Sequence, residues 1–185
     1  ISAVIIDCDK QKIIETHTVP NNSKIETERD FSEYDAEWIT EKVISIVDNL
    51  VAAYPNIKGI GLTGQMHGFV YISADGKAVS PLYNWQDGRG NRMYSNDKTY
   101  CQEIEERTGY PCNSGYAFTT MFYNHRNHLE PKDTKSFCSI MDYIVMVLTN
   151  REAPLIHISN AASFGLCDIK NNQFDTEAIE KLNLT

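Results

Sequence analysis

The stretch Lys58-Gly-Ile-Gly-Leu-Thr-Gly-Gln-Met-His-Gly-Phe-Val-Tyr71 constrains the fold more than any other part of the chain. Ile57 to Leu62 is a short apolar run with glycines, which predicts a buried central strand. The run stops at Thr63-Gly64, and polar Gln65 and His67 follow where a turn exposes them. Phe69-Val-Tyr-Ile72 resumes as a second strand, and Asp75-Gly76 predicts a tight turn before Lys77-Ala-Val79. Open α/β sheets place ligands at the carboxyl ends of buried strands, and glycines on either side leave room for a ligand to approach the backbone. Alone, Gln65 and His67 would be read as residues that satisfy a local hairpin.

A second segment, Tyr83-Asn-Trp-Gln-Asp-Gly-Arg89, changes that balance. It gathers a flat apolar ring, a carboxylate, an amide and a guanidinium into a few residues. A sugar offers an apolar C–H face and a rim of hydroxyls, so this composition suits a polyol ligand. His67 can donate and accept, Gln65 and Asp87 can make paired bonds to hydroxyls, and Trp85 offers a flat face. Asp87 and Arg89 are equally suited to holding the loop together, so their part stays open between ligand contact and structure.

Gly64-Gln-Met-His-Gly68 followed by Asn84-Trp-Gln-Asp-Gly-Arg89 resembles the amino-terminal half of the FGGY carbohydrate kinases, most of all the branch acting on ketoses such as xylulose or sedoheptulose. The resemblance extends along nearly the whole chain, through Ile158-Ser-Asn-Ala-Ala-Ser163 and the strand expected after it. It implies an RNase H-like (actin-like ATPase) domain, an α/β fold with a mixed β-sheet flanked by α-helices, occupying residues 1–185. It also implies that Met66 and His67 sit against the ketose, that Trp85 lines the pocket, and that Tyr116 or Tyr110 supplies a further aromatic from the loop after Thr108-Gly109. ATP and magnesium are the cofactors it implies, and a carboxy-terminal kinase domain of the same polypeptide is the implied partner, with a homodimer left open. The family's first strand, with its phosphate-binding Asp-x-Gly-Thr-Thr-like loop, is expected before Ile1, and the general base is expected beyond Thr185.

Around these motifs the chain reads as ordinary globular protein. With 185 residues it can bury a substantial core and fits one domain better than two. A net charge of −8 argues against nucleic acid or an anionic membrane as the main partner. No apolar run reaches the roughly 18 residues of a membrane span. The five cysteines are scattered without a Cys-x-x-Cys pair, which predicts reduced thiols and a cytoplasmic location.

Ser2–Ile6 and Lys12–Val19 predict a hairpin across the turn Asp7–Gln11, and Lys24–Glu33 predicts a charged surface loop. Asp35 to Ala53 is the clearest helix: Ile39, Val43, Ile46, Val47 and Leu50 recur at helical spacing, Asp35 caps it and Tyr54-Pro55 stops it. The strand–helix–strand order from residue 12 to 62 fits a mixed sheet covered by helices. Further helices are expected over Asn91–Arg107, Phe118–Leu129, Ser136–Leu148 and Thr176–Leu182.

Phosphorylating a sugar needs a pocket for the accepting hydroxyl, a carboxylate to take its proton, and a charged cradle for the nucleotide phosphates. The sequence offers the first. No Gly-x-x-x-x-Gly-Lys occurs, and the glycines at 59, 61, 64 and 68 precede no predicted helix. No metal site is assigned, since His125-x-x-His128 lacks a nearby third ligand. Two rival readings remain: a non-catalytic sugar-sensing or partner-binding module on the same cleft, and a phosphohydrolase or nuclease on the RNase H-like fold.

Overall fold

Residues 1–28 and 30–184 are described by the structure, a computed structural model. Arg29, inside the expected Lys24–Glu33 loop, and Thr185 lie outside the described residues.

The chain opens with the expected hairpin, β1 (Ser2–Asp7) and β2 (Lys12–Thr18), paired antiparallel. Its apolar side chains stay exposed: Val4, Ile6, Ile13 and Ile14 are each about half open to solvent or more. A two-residue strand β3 (Glu33–Tyr34) leads into α1 (Ala36–Ala53). Asp35 caps this helix as its sequence predicts, accepting the Trp38 N–H at 2.9 Å.

The buried central strand is β4 (Val70–Ser73), every residue of which is buried. Its pleat explains the core. Phe69 and Tyr71 point into one cluster, with Tyr83, Phe118, Phe122 and Phe164, while Val70 and Ile72 point into another, with Ile39, Leu82, Ile140 and Ile144. At roughly 1.5–3 kcal/mol for each large apolar side chain fully buried, this strand is a main organiser of the domain. Phe69 bridges to Tyr83, and β5 (Leu82–Tyr83) pairs with β3, so the two sequence motifs are joined edge to edge.

Ile57–Leu62, expected as the buried central strand, is a correction. These residues form no strand, Ile60 is 53% exposed, and among the described residues the backbone of 58–65 enters no ladder. An apolar run becomes a central strand only where neighbours offer backbone partners, and the buried strand β4 already pairs with β6 and, through Phe69 and Ile72, with Tyr83 and Ala78. Gly59 and Gly61 add no side chain to pack.

Beyond the second motif, a helix forms only over α2 (Tyr100–Thr108), shorter than the Asn91–Arg107 expected, because Thr99 and Gln102 build a capping box that starts it there. Helix α3 (Ala117–Arg126) packs across α2 and is buried along most of its length. The expected helix Ser136–Leu148 is also corrected: β6 (Thr134–Cys138) pairs antiparallel with β4, and α4 (Ile140–Leu148) begins only after Ser139. Ser139 fixes that boundary by accepting the Asp142 N–H at 3.1 Å. The chain ends through the short α5 (Ile158–Ala161), a single helical turn over Ala162–Phe164, the pair β7 (Cys167–Asp168) and β8 (Gln173–Phe174), and α6 (Thr176–Lys181), capped by Asp175. Among the described residues the strand pairs are all antiparallel, and no helix is long and apolar enough to cross a membrane.

Candidate functional site

The loop Gly64–Gly68 leads directly into β4, and its last residue sets its position. A Cβ on Gly68 would lie 2.5 Å from the Tyr83 carbonyl oxygen, so only glycine lets this loop lie flat on the Tyr83-Asn84 backbone. The turn is tight, with Gly68 N–H bonded to the Met66 carbonyl at 2.9 Å, and His67 sits in the left-handed region at φ 71°. Non-glycine residues in that region are uncommon and cluster at functional sites.

Two contacts hold His67 there. Its backbone N–H donates to Ser163 Oγ at 3.2 Å, and its Nδ1 lies 2.6 Å from the Ser163 carbonyl oxygen. Tyr116 stacks on the imidazole with ring centroids 4.7 Å apart and planes 11° from parallel. Next to Tyr116, Gly115 takes φ +86°, and a Cβ there would collide with the Trp85 carbonyl oxygen. Trp85, 52% exposed, thereby stands beside the loop that carries Tyr116. His67 and Tyr116 come from distant stretches and stack on each other, and the Trp85 backbone packs against Gly115, the residue before Tyr116. Met66 is 49% exposed on the same loop as His67, and Gln65 is half-buried before it. Tyr110 instead donates to Asp175 at 2.9 Å, so it is Tyr116 that the structure brings to His67.

Asp87 is buried and fully engaged by its own loop and its neighbours. Only 1% exposed, it accepts the Ser32 N–H at 3.0 Å and the Arg89 N–H at 3.1 Å, and pairs with the Arg89 guanidinium. Arg89 also pairs with Glu33 and lies 3.6 Å over the Phe31 ring. Burial pushes the Asp87 carboxyl up, against the pull of Arg89. These contacts favour the loop-holding part for both residues over contact with a ligand. Ser114 completes the clamp by donating to the Asp87 carbonyl at 2.7 Å.

Sequence reasoning gave no role to Ser163, Ser114 and Gly115, which hold His67, Asp87 and the Trp85 backbone, nor to a second group beside the Gly64–Gly68 loop. A cleft of about 380 Å³ runs from Thr63, Gly64 and Met66 to Met141, Asp142 and Asn160. Asn160 donates to Asp142 at 3.2 Å, and Ser139 donates to the same carboxylate at 2.6 Å. Asn160 lies far in sequence from Ser139 and Asp142; the Ser-x-x-Asp spacing of that pair and the Ile158–Ser163 stretch were the signals that could have flagged them.

The fold that carries these residues, strands covered by helices, is the actin-like, RNase H-like α/β fold of the solved carbohydrate kinases. The model of the FGGY family of carbohydrate kinases, N-terminal domain, matches residues 1–185, and the chain belongs to that family. It is 27% identical over 164 residues to sedoheptulokinase of Mus musculus, covering 76% of this chain and 33% of the relative. It is 25% identical over 178 residues to xylulose kinase of Staphylococcus xylosus, covering 93% of this chain and 36% of the relative. The chain therefore spans about a third of the length of these relatives. The ligand-bound xylulose kinase of Lactobacillus acidophilus superposes with a TM-score of 0.80 at 20% identity, over 100% of this chain and 38% of that one, which shows the shared fold.

Proposed function

We propose that this chain is the sugar-binding half of an ATP-dependent kinase that transfers the γ-phosphate of ATP to a ketose hydroxyl. The observation that carries the reading is the stack of the His67 imidazole on Tyr116, on a loop whose Gly115 packs against the backbone of the half-exposed Trp85. Trp85 would lie against the C–H face of the sugar, His67 would bond a hydroxyl, and Gln65 and Met66 would close the rim. Asp87 and Arg89 would act indirectly, by holding the Trp85 loop. The names of the relatives, sedoheptulokinase and xylulose kinase, support a ketose as the sugar.

The residues present do not fit the nucleotide. No phosphate cradle leads into a helix at the glycines 59, 61, 64 and 68, and among the described residues no group of three or more His, Cys, Asp or Glu side chains is gathered for a metal ion. The base, the phosphate-binding loop and the opposite wall of the cleft would come from parts of the full-length protein other than residues 1–185. Taken alone, this chain would turn over no ATP and would bind a ketose at millimolar strength or weaker, on the order of −4 kcal/mol, because one wall leaves the sugar partly hydrated.

Steady-state kinetics on the full-length protein tests the reading. His67→Ala and Trp85→Ala are each expected to raise the KM for the ketose and lower kcat/KM about tenfold to a hundredfold, the effect of roughly 1–3 kcal/mol of lost transition-state binding. Unchanged ketose kinetics in both folded variants would remove the basis of the proposal.

A further inference from the structure

We infer that Ser163 is a positioning residue that fixes His67 as its Nδ1–H tautomer, so that His67 reads the sugar as a hydrogen-bond acceptor through a bare Nε2. The inference rests on the sugar-binding reading of His67 given above.

The assignment follows from what stands opposite each ring nitrogen. Nδ1 lies 2.6 Å from the Ser163 carbonyl oxygen, and a carbonyl oxygen can only accept, so Nδ1 carries a proton. A neutral imidazole has one N–H, which leaves Nε2 as the acceptor. Among the described residues Nε2 meets no protein partner, and it is not sealed from solvent. A half-turn of the ring, which would put Cδ2 where Nδ1 stands, is hindered because Tyr116 covers its face at 4.7 Å and the His67 backbone N–H is anchored on Ser163.

That anchoring also runs through Ser163. Its Oγ accepts the His67 N–H at 3.2 Å and donates its own proton to the Asn160 carbonyl at 2.7 Å. One buried residue, 96 positions along the chain, therefore holds both the left-handed backbone of His67 and its ring. Ser163 is held in turn, since Asn160 is tied to Asp142 and Asp142 to Ser139 on the neighbouring helix. The specificity that results is chemical: the position facing His67 must be a hydroxyl with a proton to give. A deoxy or O-methyl sugar at that position loses the contact and leaves Nε2 desolvated without a partner.

The ¹⁵N spectrum of histidine-labelled full-length protein tests the assignment, with His67 identified by the signal lost in His67→Gln. The expected result is a protonated-type nitrogen at Nδ1 and a bare nitrogen at Nε2. A proton resident on Nε2 in the neutral ring would overturn the inference and leave the sugar-binding reading standing. Ser163→Ala removes the Oγ contact and keeps the carbonyl. It is expected to raise the ketose KM about two- to tenfold, the size of one hydrogen bond, with a smaller change in kcat and a partial loss of the Nδ1–H signal. Ser163→Thr, which keeps the hydroxyl, should restore both. If folded Ser163→Ala leaves KM and spectrum as in the wild type, the positioning role is wrong. If His67→Gln also leaves KM unchanged, the sugar-binding reading fails with it.

Discussion

Replacing Arg89 with methionine should cost this domain about 3–5 kcal/mol at neutral pH, the loss seen when one partner of a buried ion pair is removed. The magnitude follows from what the substitution strands. The Asp87 side chain is fully buried and the Arg89 side chain 4% exposed, so the pair has no solvent to fall back on. Methionine keeps most of the apolar stem but removes the guanidinium that lies over Phe31, and leaves the Asp87 carboxylate with only the Ser32 and Arg89 backbone N–H groups. For a protein of this size each kcal/mol moves the midpoint by about 2–4 °C, which gives a fall of roughly 6–20 °C.

The pH dependence carries a sign. Burial already raises the Asp87 carboxyl in the folded state, and Arg89 is the largest force opposing that rise. A carboxyl raised on folding favours the folded state at low pH and costs stability as pH climbs through its folded value. Without Arg89 that value rises further, so the penalty of Arg89→Met should be small below the carboxylate range and full at neutral pH. Thermal melts of wild type and variant across pH, followed by tryptophan fluorescence, read both effects. A variant within about 0.5 kcal/mol of wild type at neutral pH, the range of an ordinary surface change, or one hurt most in acid, would refute this account of the buried pair.

Other sites give independent checks. Gly115→Ala forces a Cβ into the Trp85 carbonyl at φ +86°, so it should lower stability and shift the Trp85 emission even if the domain folds, and an unchanged spectrum would contradict the packing. Ser139→Ala removes the cap of α4 and should cost about 0.5–2 kcal/mol in a urea melt, whereas Ser139→Thr should cost much less. The Cys112 thiol is pulled down by its bond from Cys101, while Cys101 is pushed up by the same bond and by burial. Peptide mapping after brief alkylation with rising pH should therefore find Cys112 modified before Cys101, and the reverse order would overturn that pairing.

The helices were legible where side chains announced their own boundaries. Asp35 and Asp175 cap α1 and α6 where the sequence places helix starts, because a cap is a local interaction between near neighbours. The two helices expected too long, Asn91–Arg107 and Ser136–Leu148, were cut short by Thr99 and Ser139. Both carry a cap spacing, Thr-x-x-Gln and Ser-x-x-Asp, that amphipathic periodicity alone passes over. Ile57–Leu62 failed for the opposite reason, since apolarity proposes a strand but a ladder partner decides it, and that partner is not a property of the run itself. The site shows the same division. Trp85 and His67 stand out by residue type and loop composition. The burial of Asp87, the stacking of Tyr116 and the grip of Ser163 depend on contacts between segments far apart in sequence.

A crystal structure of the full-length protein with a ketose tests the central claim most directly. The account predicts the sugar's C–H face within about 4 Å of the Trp85 ring. It also predicts one ring or chain hydroxyl within about 2.7–3.2 Å of His67 Nε2, with Tyr116 still stacked on the other side of the imidazole. A ketose bound elsewhere in the molecule, with His67 and Trp85 untouched, would contradict it.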